Sequence, residues 1–307
     1  MPEMKAMEFT GELTLRPVIR PIPEPQGGEI LIQVSAVGVT PTERFWYPTI
    51  HKADGTARSN AIPGHEFAGT VAKLGAGVTG YSAGDAVFGL NDWFRDGATG
   101  EFCITEPARL SLKPSSLSDS EAASIPISVL TAWQGLHLRA KLQSGERVLI
   151  HGGAGAVGLF AVQLARSRDA YVIATSSRAN IDFVNQLGAN EVIDYRASRF
   201  EEAGMVDVVF DTVGGDTLER SWSLLKPGDR LVTIAADAGS NADPRVKSAF
   251  FIVEQNGEQL TALGKFFDSG ELRAFVKAEL PIEEADRAYR GAIASHPGKV
   301  VLRPRPV

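Results

Sequence analysis

Six consecutive residues, Gly153–Ala154–Gly155–Ala156–Val157–Gly158, have the types and spacing to hold a phosphate: they form a complete G-x-G-x-x-G. In such a turn the first glycine allows the tight bend. The second lets backbone approach a pyrophosphate, and the third lets the following helix pack on its strand. Ala156 and Val157 belong to the same turn, and the helix N-terminus behind it offers free N–H groups and partial positive charge. With 31 glycines in 307 residues the pattern alone is weak. Its context is the stronger signal, because an apolar strand VLIH (148–151) precedes it and an apolar-periodic helix follows. About 20 residues on, a site selective for NAD places an acid on the ribose 2′-hydroxyl. Here Thr175–Ser176–Ser177–Arg178 stands instead, with no acid before Asp182. Hydroxyls beside a guanidinium suit a 2′-phosphate, so NADPH is the expected cofactor. An Arg178 standing in water would leave the choice between NAD and NADP open.

Other reactive residues are sparse. Cys103 is the single cysteine, which excludes an internal disulfide and a zinc site built from several thiolates. It lies in EFCIT, which alternates like a strand. Gly64–His65–Glu66 offers a histidine, but one histidine without converging partners is not a metal site. Glu29, Glu43 and Glu66 could be paired carboxylates of the glycosidase type, although nothing in their spacing makes them converge.

The elements that must position these residues fall into two textures. From Met1 to about Pro114 the chain is rich in Gly, Pro and short β-branched runs: Glu29–Val39, Thr70–Leu74, Ala86–Leu90 and Phe102–Thr105. Turn signals such as PEPQGG, YSAGD and RDGATG separate them, which predicts an irregular, mostly β domain. Ser118–Asp119–Ser120–Glu121 reads as a helix start. Beyond it, strands 148–151, 170–175, 191–195, 207–213 and 230–235 alternate with helices 156–168, 179–187, about 197–203 and 216–225. Strands this apolar, separated by helices, predict a parallel sheet covered on both faces. Val213 and Ala235, at the ends of the fourth and fifth strands, fall on the carboxyl edge where ligands sit. A further strand is expected at AFFIVE (249–254), a helix at 257–270, a short strand and helix across 279–295, and a last strand at GKVVL (298–302).

Hydrophobic residues make up 44% and charged residues 22%, ordinary for a folded chain with a large core. The formal charge of −6 argues against nucleic-acid or anionic-membrane partners, which need clustered Lys and Arg. No apolar run reaches about 18 residues and the N-terminus lacks a signal-like stretch, so a cytoplasmic location is expected.

Taken together, the β-rich start, TAWQGLH, SGERVLIHGGAGAVG, LGANEVIDYR, VDVVFDTVGG and PGKVVL resemble the medium-chain dehydrogenase/reductase superfamily, in its zinc-free quinone oxidoreductase-like branch. The resemblance implies an α/β fold: a doubly wound Rossmann domain at 119–265 and a mostly β, GroES-like catalytic domain made of 1–118 and 266–307. It also implies a homodimer that pairs Rossmann sheets edge to edge, with AFFIVE at the edge. Zinc-dependent relatives use an early Cys, the His of Gly-His-Glu and a Cys near the domain junction. Here the early segment is Val37–Thr42 and the junction Thr131–Gln134, and neither has a thiol. His65 is then a relic or a structural residue. In the zinc-free branch the early motif carries Asn and Asp where this chain has Thr40 and Glu43. By resemblance Thr131 lies beside the nicotinamide and Tyr195 flanks the adenosine phosphate. Lys299 approaches the cofactor by the same resemblance, with a lysine standing in water as the alternative.

These readings converge on hydride transfer from NADPH to a small-molecule acceptor, a quinone or an α,β-unsaturated carbonyl. Such acceptors need only a hydrogen-bond donor at oxygen, whereas an unactivated ketone wants a Lewis acid or a matched general acid. Thr40, Tyr47 and His65 are the candidate donors; packing is the competing role for Tyr47 and its neighbour Trp46. Two alternatives stay open: an NADPH-binding sensor or structural protein with little activity, and a zinc-type alcohol dehydrogenase with unusual ligands.

Overall fold

A buried acid organises the first hairpin of the computed structural model, which describes residues 2–10, 14–235, 243–293 and 297–304. β1 (Glu3–Phe9) and β2 (Leu15–Pro21) pair antiparallel with Glu8 opposite Arg16. Glu8 is 2% exposed and holds both Arg16, at 2.8 Å, and Arg20. Sequence patterning missed this hairpin, because Pro17, Arg16 and Arg20 make LRPVIRP look unlike a strand. Proline is tolerated there because β2 is an edge strand, paired only with β1 in its sheet.

The chain divides into two units, one of Met1–Ile127 with Gln255–Val307 and the other of Ser128–Glu254. In the first, β3 (Ile30–Gly38) is followed by a short helix α1 (Tyr47–Ile50), then β4 (Glu66–Leu74), β5 (Ala86–Leu90), β6 (Phe102–Thr105) and β7 (Leu110–Leu112). β3 pairs antiparallel with β4 and β6, β4 with β5, and β5 with β7. Ile30, Ile32, Val34 and Val37 of β3 pack with Phe67, Val71, Val87 and Leu110 in one core. α2 (Asp119–Ala123) begins with a full capping box, Ser118 and Glu121 each satisfying the other's backbone amide.

α3 (Pro126–Trp133) runs into a π-helical stretch, Gln134–Arg139, and crosses the division between units. The second unit then alternates strand and helix: β8 (Arg147–Ile150), α4 (Gly158–Ser167), β9 (Tyr171–Ser176), α5 (Ile181–Gln186), β10 (Glu191–Asp194), β11 (Val208–Asp211), α6 (Gly215–Ser221), β12 (Arg230–Thr233) and α7 (Pro244–Ala249). Among the described residues the strands are all parallel, in the order β10-β9-β8-β11-β12. This is the doubly wound Rossmann arrangement, and its strand order reverses between β8 and β11, where such folds open a ligand crevice. Leu149, Ile173, Val209 and Leu231 carry the core of this unit.

After α8 (Gly257–Asp268), the chain adds β13 (Val276–Pro281), α9 (Ala285–Tyr289) and β14 (Lys299–Arg303) to the first unit. β14 lies antiparallel to β3 and parallel to β13. Residues 294 and 295 of the expected helix lie outside the described residues.

Several expected boundaries move, each for a visible reason. The units part at 127/128 and 254/255, where the sequence had placed 118/119 and 265/266. α2 packs on β3, because a side chain at Gly38 would overlap the Ala123 carbonyl. α8 starts against β7, with Gly257 on the Leu110 carbonyl and the Ser111 and Thr261 hydroxyls 2.8 Å apart. AFFIVE is not a strand. Asp243 caps α7 and Pro244 opens it, so Ala249 is helical, and only Phe250 bridges to Thr233. The expected helix at 197–203 is a single 3-10 turn, Phe200–Ala203. β11 and β12 end at Asp211 and Thr233, two residues before Val213 and Ala235.

The β3–β4 pair carries the segments around Thr40 and His65, and it tolerates no side chain at Gly69. A Cβ there would overlap the Gln33 carbonyl oxygen and lie 2.8 Å from the Ile32 Cγ2. Gly69→Ala is expected to lower stability by about 1–3 kcal/mol, the usual cost of overpacking, read as a lower denaturant midpoint at unchanged m-value.

Candidate functional site

The turn after β8 is held by its neighbours' side chains and backbone. Gly152 has φ +75°, a conformation L side chains rarely adopt, and a Cβ there would lie 2.6 Å from the Thr212 Oγ1. The left-handed bend is therefore one residue earlier than the first motif glycine. Gly153 serves instead as the contact with β9: its amide donates to the Thr175 carbonyl at 2.9 Å, and a Cβ would meet the Ala174 Cβ at 2.9 Å. The Gly155 amide closes the turn on the Gly152 carbonyl at 2.8 Å, and Gly155 itself is exposed. Ala156 and Val157 are half-buried, and a side chain at Gly158 would overlap the Gly152 carbonyl, which brings α4 hard against the turn. Val157 gives α4 no side-chain cap; the Leu159 amide turns back to the Gly155 carbonyl at 3.0 Å and the Phe160 amide to the Val157 carbonyl at 3.1 Å, which leaves the Ala156, Val157 and Gly158 amides for water or an anion.

A cavity of about 780 Å³ opens at these strand ends; its wall includes Gly152, Thr175, Tyr195, Val213, Arg196 and Arg220. Tyr195 is 53% exposed, and the Arg196 guanidinium lies over its ring at 5.5 Å. Arg220 pairs with Glu201 at 2.7 Å and with Asp216 at 3.1 Å. Asp211, wholly buried, accepts from the Val213 and Gly214 amides and from the Thr233 hydroxyl, so the β11 turn is fixed. His151, the last residue of VLIH, lines the cavity as a buried side chain, its ring 4.7 Å from the Phe200 ring.

The expected 2′-phosphate group divides. Ser176 is buried and gives its hydroxyl to the Ser177 carbonyl at 3.2 Å. Ser177 is half-buried, and Arg178 is exposed at the start of a 3-10 turn. The Tyr195 amide donates to the Ser176 carbonyl at 3.2 Å, which sets Tyr195 next to this segment. Val213 is exposed on the cavity wall, Ala235 is buried with its amide on the Thr233 hydroxyl, and Thr131 is buried in α3.

The candidate donors of the other unit lie around two buried carboxylates. Glu43, with no exposed surface, accepts from the Gly64 amide at 2.8 Å, the His65 Nδ1 and the Tyr289 hydroxyl at 3.1 Å. Burial first, then the Glu43 charge, holds the Tyr289 phenol well above its ordinary pKa, so it stays a donor. Glu66 accepts from the Lys299 Nζ, the Thr40 hydroxyl at 3.3 Å and the Ile127 amide at 3.0 Å. Lys299 is 6% exposed and ion-paired, so it does not stand in water. Glu29 pairs with Arg95. Each of the three acids thus has its own partners. Tyr47 is outside both clusters, 54% exposed and stacked on His51 at 4.1 Å, with Phe94 edge-on at 6.5 Å. His65 lies 5.5 Å from the Trp93 ring, which in turn meets Trp46 at 5.5 Å.

Residues 26–113 match the family model of the alcohol dehydrogenase GroES-like domain, and residues 187–302 match that of zinc-binding dehydrogenases. The chain is 31% identical to 2-methylene-furan-3-one reductase of Solanum lycopersicum, over 93% of this chain and 74% of that protein. It is 30% identical, with the same coverage, to the chloroplastic NADPH-dependent alkenal/one oxidoreductase of Arabidopsis thaliana. The solved quinone oxidoreductase from Coxiella burnetii matches with a TM-score of 0.89 at 30% identity, over 99% of this chain and 100% of that one. The chain belongs to the medium-chain dehydrogenase/reductase superfamily. That is an oxidoreductase family whose members bind NAD(P), and the β8–α4 turn of this member suits such a dinucleotide.

The residues present do not suit the catalytic zinc of other superfamily members. Both His65 nitrogens face oxygen atoms, Nδ1 on Glu43 and Nε2 on the Arg95 carbonyl at 3.4 Å. Cys103 is buried in β6, and burial pushes its thiol up to about 12, far from a thiolate. Among the described residues no three His, Cys, Asp or Glu side chains group as metal ligands. Sequence reasoning missed His151 and Tyr289 as site residues and placed Thr175 only in the 2′-phosphate segment. A histidine closing an otherwise apolar strand was the one signal available for His151.

Two outcomes follow from these buried groups. Glu43→Ala leaves the Gly64 amide, His65 and the Tyr289 hydroxyl without their acceptor. It is expected to cost about 3–5 kcal/mol in chemical denaturation, with Glu43→Gln recovering part of it. Burial lowers His151 from 6.5 to about 4, with Asp211 and Glu201 pulling upward and Arg220 downward; burial and Arg168 lower His137 from 6.5 to about 4. The folded chain keeps both neutral where the unfolded chain already binds protons. Stability from these groups is full above pH 6.5 and falls as pH drops toward about 4. Melting temperature followed across that window should decline, and His151→Gln should flatten the decline.

Proposed function

We propose that this superfamily member is an NADPH-dependent reductase that passes hydride to a quinone or an α,β-unsaturated carbonyl without zinc. The observation that carries the reading is the edge of the Rossmann sheet. A turn exposed at Gly155 leads into a helix with no side-chain cap, and the end of β9 offers Ser177 and Arg178 beside a buried Ser176, with no carboxylate. Gly155 through Gly158 would carry the pyrophosphate, while Arg178 and Tyr195 would bind the 2′-phosphate end, with Ser177 beside them. Bound NADPH supplies the hydride; the protein's part is to orient the acceptor, exclude water and place a donor at the oxygen where charge develops.

Thr40 is the proposed donor, which requires its hydroxyl hydrogen to turn from Glu66 to the acceptor oxygen. Glu66 keeps Lys299 and the Ile127 amide as partners when it does. His65 contributes position through Glu43 rather than a proton. Phe45, Tyr47 and Phe94 are exposed, and with Trp46 and Trp93 they form an aromatic surface suited to a flat, apolar acceptor. The relatives named as alkenal/one and furanone reductases agree with this substrate class. We also propose that the protein works in the cytoplasm as a homodimer.

One observation favours the NADPH-binding protein with little activity: the Thr40 hydroxyl hydrogen is directed to Glu66. A single assay separates the readings. NADPH oxidation is followed against simple quinones, alkenals, cyclic enones and a plain ketone, with NADH as control and metal content measured on the same sample. Turnover on an activated acceptor, at least about tenfold better with NADPH than with NADH and with zinc well below one per chain, is the expected result. Silence across the panel despite NADPH binding moves the assignment to the binding protein. Stoichiometric zinc overturns the metal-free reading.

A further inference from the structure

The hydrogen bonds around His151 have only one consistent direction. The Ser221 hydroxyl gives its hydrogen to the Thr217 carbonyl at 2.6 Å, so at 2.9 Å it can only accept from the His151 Nε2. A neutral imidazole with hydrogen on Nε2 has a lone pair on Nδ1, which accepts from the Thr175 hydroxyl at 3.3 Å. The Thr175 oxygen then faces the Gly152 amide as an acceptor, at 3.1 Å. The chain runs Gly152 N–H to Thr175, Thr175 to His151, His151 to Ser221, and Ser221 to the backbone of α6. Each group donates once, and none is left with two hydrogens facing each other. The same threonine takes the next amide as well, with Gly153 N–H on its carbonyl at 2.9 Å, while Thr212 donates to the His151 carbonyl at 2.7 Å.

We propose that Thr175 and His151 are positioning residues for nucleotide binding. They fix the bend at Gly152 and Gly153 from beneath, so that the amides of Ala156, Val157 and Gly158, which no backbone carbonyl takes, already face a pyrophosphate. The proposal rests on the cofactor reading above. Neither residue needs to touch the nucleotide's reacting atoms. Their effect is preorganisation: a turn free to rotate would have to be ordered by the ligand at the expense of affinity. The buried histidine suits this task because it bridges two hydroxyls, and the surroundings keep it neutral down to about pH 4. Charged groups facing it are Asp211 from β11, Glu201 from the turn after β10, and Arg220 from α6.

The test compares wild type with Thr175→Val, Thr175→Ser and Ser221→Ala, using two probes: NADPH, and adenosine 2′,5′-bisphosphate, which lacks the pyrophosphate bridge. Thr175→Val keeps the side-chain volume and removes the acceptor and donor. Its NADPH Kd and KM should rise roughly five- to tenfold, as expected for one lost hydrogen bond to a turn. Turnover at saturating NADPH should stay near wild type, and the bisphosphate Kd should change less than about twofold. Thr175→Ser should restore NADPH binding, and Ser221→Ala should shift it in the same direction by a smaller factor. A melting temperature lowered with both probes weakened equally would mark a merely structural role and overturn the proposal, as would an unchanged NADPH Kd in Thr175→Val. Wild type that binds no NADPH would instead overturn the cofactor reading beneath it.

Discussion

Two carboxylates with no exposed surface, Glu43 and Glu66, are the constraint from which the first unit's organisation follows. Removing such charges from water costs several kcal/mol each, and the cost is met only when donors converge on every oxygen. Local sequence cannot supply them all. Tyr289 reaches Glu43 across 246 residues of chain, and Lys299 reaches Glu66 across 233. The return of residues 255–304 to the N-terminal sheet, with β14 laid against β3, is what delivers these two donors. A unit assembled from both ends of the chain thus has a polar reason to close as well as an apolar one, in which Ile282, Ala285 and Leu302 join the β3 core.

The Rossmann unit meets a related problem at a different place. Where strands end, backbone amides lose their ladder partners and must be satisfied by side chains or ligand. At β11 the Asp211 carboxylate takes two amides of its own turn and the Thr233 hydroxyl of the next strand. At β9 Thr175 takes two amides of the turn after β8. The carboxyl edge is therefore braced laterally, strand to strand. Within the turn after β8 it leaves open the amides of Ala156, Val157 and Gly158, which no backbone carbonyl takes. Ordering beneath and openness above is the arrangement that lets an anion bind without first having to build its own site.

How much of this was legible in the sequence depended on how local the cause was. The five parallel strands were readable because each is a short apolar run whose burial needs no partner to be named. The capping box at Ser118 and Glu121 was readable because its two hydrogen bonds lie within four residues. The β1–β2 hairpin was not, since Glu8 is what makes Arg16 and Arg20 strand residues. AFFIVE failed for the opposite reason: its β-rich composition lost to Asp243 and Pro244, which start a helix just upstream. The glycine motif marked the turn correctly while misplacing its bend by one residue: the left-handed φ falls at Gly152, where a Cβ would meet the Thr212 hydroxyl from the segment after β11. Lys299 was visible as a residue, but its pairing with Glu66 spans the whole chain.

The Gly64–His65–Glu66 tripeptide shows why a retained motif is poor evidence for a retained metal. Gly64 has φ +90°, and a Cβ there would lie 2.5 Å from the Thr99 Oγ1. Its amide and the His65 ring both serve Glu43, while Glu66 holds Lys299, Thr40 and the first turn of α3. Each of the three positions therefore has a structural task that stands without any ion. Removing one member of a buried charged cluster costs on the order of 3–5 kcal/mol, a large part of the roughly 5–15 kcal/mol by which folded proteins are stable. Loss of metal ligands elsewhere would relieve none of that cost. Folding alone is then sufficient reason for the tripeptide to persist.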